Sequence, residues 1–233
     1  LRILAMSATL EASRLASLLG GDGDPAPVVS SPGRTHPVDI RWRPRGPRDR
    51  PLDAVTGAVQ AALAADPGDV LVFLPGAAAI RTVGILLRDL PADVDVRPLH
   101  GSLRPEDQDR ALAPSPPGRR RVVLSTDIAE SSLTVDGVRI VVDGGEVRRP
   151  RHDARSGLSR LQNTAASRAS ADQRAGRAGR LGPGVAYRLW SPGEHATRRA
   201  HAEPEIRSAD LADLALELAV WGATADELPF LDP

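Results

Sequence analysis

The segment of the chain with the most chemical information is an arginine- and glycine-rich run of eight residues, Gln173-Arg174-Ala175-Gly176-Arg177-Ala178-Gly179-Arg180. At helical spacing each successive arginine turns by about 60° around the axis, so all three would share one side as a single guanidinium front. A guanidinium binds two phosphate oxygens at once and does not lose its charge. The segment therefore indicates a polyphosphate ligand. A solvated, arginine-rich helix end is the alternative interpretation.

The composition of the chain restricts which cationic and metal-binding side chains it can offer. All 30 basic residues are arginine, because the sequence contains no lysine, a bias that GC-rich codon usage would explain. A phosphate-binding loop of the form GxxxxGKS or GxxxxGKT is therefore excluded, since it needs its lysine. There is no cysteine and the five histidines show no ligand spacing, so we expect neither a disulfide framework nor a metal site.

The length of the chain limits how many hydrophobic cores it can bury. Its charge distribution indicates where an anionic partner would bind. With 233 residues, 41% of them hydrophobic, the chain can bury one sizeable core and carry a small appended piece. Residues 146–180 hold nine arginines against three carboxylates, whereas residues 201–233 hold eight carboxylates against one arginine. This pattern predicts a basic working face next to an acidic tail. No apolar run reaches membrane-spanning length and no secretory signal is present, which predicts a cytoplasmic protein.

Apolar runs of strand length alternate with segments of helical spacing along most of the chain. The predicted strands are 38–43, 70–74, 94–99, 121–125, 139–142 and 184–189, and the predicted helices are 52–65, 77–90, 106–113 and 167–175. This alternation predicts an α/β fold with a parallel sheet covered by helices on both faces. In such sheets ligands gather at the carboxyl ends of the strands, so we expect the functional residues there.

The flanks of this region differ from it in pattern. A strand over 1–6 and a helix over 11–19 precede a Gly/Pro/Ser-rich linker over 20–37, and the chain starts in mid-pattern without Met, as expected of a piece of a longer protein. Residues 147–163 predict a β-hairpin that projects from the sheet. Residues 210–221 predict an amphipathic helix whose apolar face lacks a complete partner. We therefore predict domains over 1–37, 38–204 and 205–233.

The run from Gln173 to Arg180 resembles motif VI of the DEAH/RHA helicases of superfamily 2, with glutamine where DEAD-box relatives carry histidine. Other segments resemble helicase motifs in the same order: Ser7-Ala8-Thr9 motif III, Phe73-Leu74-Pro75-Gly76 motif IV, and residues 125–134 motif V. The phrases SPGRTHPVDIRW, FLPG and PEIRSADLADLALELAVWG look most like the bacterial HrpB branch.

The resemblance implies a RecA-like fold and the second motor domain of an ATP-dependent RNA helicase that uses ATP and Mg²⁺. The Walker A and DEAH motifs of the family lie in a first RecA-like domain, of which 1–37 would be the end. The chain alone is therefore expected to be inactive in ATP hydrolysis, with the first domain of the same full-length chain as its partner. Residues 205–233 would begin a winged-helix or helical extension.

The resemblance also assigns roles to single residues. Arg177 and Arg180 match the arginine fingers that reach the γ-phosphate, and Gln173 matches the glutamine beside them. Arg174 is open to a structural role. Thr134 and Asp136 match residues near the nucleotide ribose.

Nucleic-acid contacts are implied at two places. Ser125 ends a predicted strand and Thr126 follows it. Both match residues that hold a phosphate, although hydroxyls there are often only helix caps. Arg148, Arg149 and Arg151, with Arg155 and Arg160, would make the hairpin attractive to phosphate, or simply solvated. With 3% aromatic residues, binding should be led by the backbone of the nucleic acid. A non-catalytic RNA-binding or scaffold module with a RecA-like fold is the alternative function, and RNA versus DNA stays open.

Overall fold

The computed structural model describes residues 3–6, 12–20, 23–30, 36–131, 133, 135–153 and 155–230. They divide into two compact units, here called the main unit and the second unit. The main unit comprises Arg34–Arg149 and Asn163–Ala202, and the second unit comprises Leu1–Gly33, Pro150–Gln162 and Glu203–Pro233. These units divide the chain after residues 33 and 202, and the predicted boundaries at 37 and 204 stay predictions.

The described strands are β1 (Val38–Trp42), β2 (Asp69–Phe73), β3 (Val94–Leu99), β4 (Arg120–Ser125), β5 (Val138–Asp143), β6 (Glu146–Asp153), β7 (Leu158–Ala165) and β8 (Gly184–Arg188). The described α-helices are α1 (Ala12–Gly20), α2 (Pro51–Ala65), α3 (Ala77–Leu86), α4 (Pro105–Leu112), α5 (Ile128–Ser131), α6 (Arg168–Gly176), α7 (Pro192–Thr197) and α8 (Ala212–Trp221). Six strands form one parallel sheet in the order β1-β8-β5-β2-β4-β3.

Both faces of this sheet are covered, as the sequence predicts. Along β2, Val70 and Val72 face a core that includes side chains of α2 and α3, while Leu71 and Phe73 face a second core that includes residues of α4, α5 and α6. A strand buried on both faces carries apolar residues at every position instead of alternating with polar ones, because helices exclude water from each side. The uninterrupted apolar run in β2 is therefore explained by burial of this strand on both faces.

One helix is shorter than its sequence pattern predicts. The predicted helix over 77–90 ends as α3 at Leu86, and residues 87–90 form turns. Pro91 disfavours helical geometry at the residue before it, so the last turn of the apolar pattern cannot stay α-helical up to the proline.

The sheet has β1 and β3 at its two edges. The outer strand β3 contains Pro98, and its register with β4 runs unbroken through that proline to Leu99. Arg97 donates from Nη1 to the carbonyl oxygens of Arg110 and Ala113 at 2.9 Å each, which ties the edge to the end of α4.

Strands β6 and β7 pair as a two-stranded ladder, so the predicted hairpin is confirmed. Gly157 has φ +64° and its N–H donates to the carbonyl oxygen of Asp153 at 2.9 Å. Glycine adopts this left-handed conformation without a Cβ penalty. The residues of the hairpin belong to the main unit at its base and to the second unit over 150–162.

The second unit contains α1 and α8. The predicted helix over 210–221 is confirmed as α8, which ends at Gly222 in the left-handed conformation. On it Leu216, Val220 and Trp221 are exposed. The strand predicted over 1–6 is wrong for the described part, because Ile3, Leu4 and Met6 are exposed and outside regular structure. A strand needs a neighbour for its hydrogen bonds, and the described residues place none beside 3–6.

Candidate functional site

The arginine-rich run lies at the end of α6. Ser167 caps the helix by accepting a hydrogen bond from Ser170 N at 3.2 Å. The α-helix ends at Gly176, and Arg177–Gly179 form a 3-10 turn. The three arginines do not make one guanidinium front, which corrects that expectation. Arg174 is 1% exposed and Arg177 is 7% exposed, whereas Arg180 lies on the surface.

Arg174 has a structural role in the interior. Its Nη1 donates to Asp143 Oδ1 at 2.8 Å and its Nε donates to Glu130 Oε2 at 3.0 Å. Its guanidinium lies 4.9 Å from the centre of the Phe73 ring. Burial alone would lower the pKa of Arg174, but the charges and hydrogen bonds of Asp143 and Glu130 outweigh it and raise the pKa. This arginine is therefore a permanent cation that joins α6 to α5 and β5.

Arg177 is held by main-chain oxygens. Its Nη1 donates to the carbonyl oxygen of Leu133 at 2.9 Å, and its Nη2 donates to the carbonyl oxygen of Glu130. Burial and the nearby positive charge of Arg180 lower the pKa of Arg177 to about 10, against a weaker raising effect of Glu130. It stays cationic at neutral pH. Two cations close enough to repel each other favour an anion at the same place, because an anion removes the repulsion.

Glycines bring the 3-10 turn close to the sheet. A side chain at Gly184 would collide with the carbonyl group of Ala178, and one at Gly179 would collide with the carbonyl oxygen of His36. The His36 N–H donates to Gly179 O at 2.8 Å, and the Gly184 N–H donates to Pro37 O at 3.0 Å. These contacts place the turn at the amino ends of β1 and β8. The run therefore ends at the amino ends of these strands and not at the carboxyl ends, where the sequence predicts functional residues.

Asp136 is the one of the two residues matched to the nucleotide ribose that the structure describes. Asp136 is exposed in the turn that precedes β5, and its carbonyl oxygen accepts a hydrogen bond from Arg121 Nη2. Arg121 is buried and ion-paired with Asp69 at 2.8 Å. Asp136 therefore lies at the amino edge of the sheet, as the 3-10 turn does. Thr134 lies outside the described residues, as does the motif III triplet over 7–9. Gln173 is half-buried on α6.

The first motif V residues lie at the opposite, carboxyl edge. Ser125 is 0% exposed and donates from Oγ to the carbonyl oxygen of Thr126 at 3.0 Å, so its hydroxyl offers no surface to a phosphate here. Thr126 is half-buried, and its Oγ1 accepts from Ile128 N across 3.5 Å, a long contact for a helix cap. Of these two residues, only Thr126 is partly exposed.

The hairpin arginines are exposed, as a phosphate-binding surface requires. Arg148 and Arg149 lie on the main-unit part of β6, and Arg151 lies on the part that belongs to the second unit. The side chain of Arg148 lies beside Gly76, where an added Cβ would be 3.3 Å from Arg148 Cδ. Gly76 is the N-cap of α3, so this arginine approaches a helix N-terminus.

Sequence reasoning missed α5 and α7 and gave no role to Glu130. A buried arginine needs a carboxylate partner, but the sequence does not show that Arg174 is buried, so it gave no signal for Glu130. Sequence reasoning also missed an aromatic cluster in which His195 lies 5.2 Å from Trp42 and 6.2 Å from Trp190, between ring centres. A cavity of about 260 Å³ lies next to Trp190, with Arg45, Glu146, Asn163 and Arg198 among its lining residues.

Neither a metal-binding cluster nor a membrane-spanning helix is found in the described part of the chain. No group of three or more His, Cys, Asp or Glu side chains there is arranged to hold a metal ion. No described helix combines the length and the apolar character needed to cross a membrane.

Comparison with known proteins gives one family and several similar helicases. The family described as "Helicase conserved C-terminal domain" matches residues 53–182. The ATP-dependent RNA helicase HrpB of Escherichia coli (strain K12) is 44% identical over 225 residues, which are 96% of this chain and 27% of that protein. The probable ATP-dependent RNA helicase DHX34 of Homo sapiens is 36% identical over 248 residues, covering 100% of this chain and 21% of that protein.

The solved structures agree. The crystal structure of the Escherichia coli DEAH/RHA helicase HrpB superposes with a TM-score of 0.91 at 43% identity, over 97% of this chain and 29% of that one. The chain thus spans about a quarter of the length of these relatives.

Proposed function

Since this chain belongs to the helicase C-terminal domain family, and within it to the DEAH/RHA helicases of superfamily 2 close to HrpB, we propose that it is the second motor domain of an ATP-dependent RNA helicase. Its six-stranded parallel sheet is the RecA-like sheet of that family. The observation that carries the proposal is the placement of two neighbouring arginines on one 3-10 turn. Arg177 is its first residue and Arg180 follows its last residue.

Arg177 and Arg180 act as arginine fingers in this proposal. A guanidinium has five N–H donors, and the carbonyls of Glu130 and Leu133 take hydrogen bonds from two nitrogens of Arg177. The remaining donors can bind oxygens of the γ-phosphate, while Arg180 approaches from the surface. Both arginines stabilise the negative charge of the transition state, and Gln173 is the glutamine that acts beside them.

The rest of the nucleotide site comes in this proposal from the first RecA-like domain of the full-length protein. The two arginines fit the phosphates of ATP, and Asp136, with Thr134, accepts hydrogen bonds from the ribose hydroxyls. The described residues do not fit Mg²⁺, because they contain no cluster of metal ligands. The ligands of that ion belong to the other domain. A cytoplasmic location is part of the proposal, since ATP and RNA are both available there.

Nucleic-acid binding is proposed at the carboxyl edge of the sheet and at the hairpin base. Thr126 donates its hydroxyl to a phosphate, with Ser125 contributing only through the main chain, and Arg148 and Arg149 supply positive charge. Arg151 is a separate contact proposed for the second unit. Such contacts hold the backbone and read no base. RNA is the proposed substrate because the similar proteins are named RNA helicases.

The test compares this chain with the full-length protein in a phosphate-release assay. We expect no hydrolysis by the chain alone, because no lysine is present for a P-loop. The full-length protein hydrolyses ATP, and single-stranded RNA stimulates it. ATP hydrolysis by the chain alone that disappears in Arg177→Ala would contradict the division between two domains. A full-length protein that binds RNA but hydrolyses no ATP would support the non-catalytic scaffold alternative.

A further inference from the structure

Glu130 is hydrogen-bonded to both buried arginines of the arginine-rich run, Arg174 and Arg177. Its Oε2 accepts hydrogen bonds from Ser170 Oγ at 2.6 Å and from Arg174 Nε at 3.0 Å. Its carbonyl oxygen accepts one from Arg177 Nη2. Its side chain is 16% exposed, so water competes little for these hydrogen bonds.

The same residue is one helical turn away from Thr126. The Ala129 N–H donates to the Thr126 carbonyl oxygen at 3.4 Å, and the Glu130 N–H donates to the Asp127 carbonyl oxygen at 2.8 Å. These bonds close the single turn of α5. A displacement of Thr126 therefore moves the Glu130 carbonyl group, which is one of the two groups that hold Arg177.

We propose that Glu130 is a positioning residue that couples a phosphate bound at Thr126 to the orientation of Arg177. The proposal rests on the proposed function. Its carboxylate fixes α5 to α6 through Ser170 and Arg174, and its carbonyl group sets the position of the guanidinium. When an RNA phosphate binds Thr126, α5 is held in one position. Arg177 then takes one orientation, because it is hydrogen-bonded to the carbonyl group of Glu130 on that helix.

The charges around Glu130 support a positioning role. Arg174 on α6 is ion-paired with its carboxylate at 3.0 Å, and the same arginine is ion-paired with Asp143 at the end of β5 at 2.8 Å. A carboxylate that accepts charge-assisted hydrogen bonds from a buried cation is held in one orientation. Replacing it by an amide keeps the shape but removes the charge that holds α6.

The experiment measures the RNA stimulation factor, defined as the ratio of ATPase kcat with and without a saturating uridine oligonucleotide, for the full-length protein. For Glu130→Gln we expect the factor to fall by about tenfold, within the usual range of coupling between sites. The Kd for the oligonucleotide without nucleotide stays nearly unchanged, since Glu130 touches no phosphate. The matched control is Glu106→Gln, an exposed carboxylate on α4, which keeps the wild-type factor.

A double variant separates coupling from a merely structural role. If Glu130 transmits the contact made by Thr126, then Thr126→Ala combined with Glu130→Gln lowers the factor no further than the more damaging single change. Effects that multiply in the double variant overturn the proposal, as does a wild-type factor in Glu130→Gln. A wild-type protein without RNA stimulation would instead refute the proposed function itself.

A second substitution keeps the proposal testable if Glu130→Gln disturbs folding. If Glu130→Gln lowers the thermal unfolding midpoint, Ser170→Ala carries the test, because it removes the 2.6 Å hydrogen bond and leaves the ion pair with Arg174 in place. The factor then falls in Ser170→Ala as well. A wild-type factor in that variant overturns the proposal.

Discussion

Arg174 and Asp143 form an ion pair in the interior of the main unit, with Nη1 and Oδ1 2.8 Å apart and residue exposures of 1% and 2%. Asp143 Oδ1 also accepts a hydrogen bond from the Gly145 N–H at 2.8 Å. The pair therefore fixes α6 to the turn that follows β5, and through α6 it fixes the start of the 3-10 turn. Removing Arg174 leaves the buried Asp143 carboxylate without this cation.

Arg174→Ala should lower the free energy of unfolding by about 3–5 kcal/mol, the usual effect of breaking a buried pair. Arg174→Met combined with Asp143→Leu should lower it less, because only Glu130, which is 16% exposed, then keeps a charge without its partner. Urea unfolding followed by circular dichroism measures both. The control is Arg88→Ala, since Arg88 lies on the surface with an exposed partner. A loss in Arg174→Ala no larger than in this control would show that the pair does not stabilise the fold.

Arg177→Ala or Arg180→Ala should lower the ATPase kcat of the full-length protein by about 10³ or more, as for arginine fingers of other NTPases. Lysine should not rescue either position, because an ammonium lacks the planar fork that spans two phosphate oxygens. Steady-state kinetics measures the effect, with exposed Arg81 on α3 changed to alanine as control. If Arg177→Ala weakens RNA binding as much as it slows hydrolysis, the finger assignment is wrong.

Arg148→Ala, Arg149→Ala and Arg151→Ala should each weaken RNA binding equally for all sequences. For each phosphate that the variant no longer binds, the slope of log K against log salt concentration should become shallower by about 0.7 for a single strand. Titrations at several salt concentrations give the slope, and Arg110→Ala on α4 is the control. Unchanged slopes in all three hairpin variants would indicate a hairpin that is only solvated.

His195 should make folding stability depend on pH. Burial and the positive charge of Arg188 lower its pKa in the folded state, and Trp190 Nε1 donates to His195 Nδ1 at 3.4 Å, which needs an unprotonated nitrogen. Asp172 opposes this shift, while Arg198 and Arg168 add to it. The unfolded histidine takes up its proton near pH 6.5, before the folded one does, so acid favours unfolding. Stability from His195 is thus complete above that pH and is lost as the pH falls through the lower folded pKa.

Urea midpoints measured between about pH 8 and about pH 5 check this for the wild type and for His195→Gln. The drop towards acid should be smaller in His195→Gln, because glutamine does not titrate and other groups contribute equally to both proteins. Equal drops would mean that the histidine contributes nothing to the pH dependence.

Strands and helices were predictable wherever an apolar pattern was long. The run from Val70 to Leu74 and the spacing over 52–65 each indicate one element, because burial on a fixed face forces a fixed period. Short α5 carries no period and was missed. The roles of the arginines were less accessible, because Arg174 finds its partners 44 and 31 residues away in Glu130 and Asp143. Spacing alone does not distinguish a buried cation from an exposed one.

The proline in β3 has a consequence beyond the geometry of the sheet. A strand at an open edge can pair with a strand of another molecule and start the growth of fibrils. Because the ladder with β4 continues through Pro98, the missing N–H is one that would point outward, where a foreign strand would seek it. Charged side chains at Asp95 and Arg97 add a barrier along the same edge. Pro98 and these charges thus disfavour pairing of this edge with a strand of another molecule.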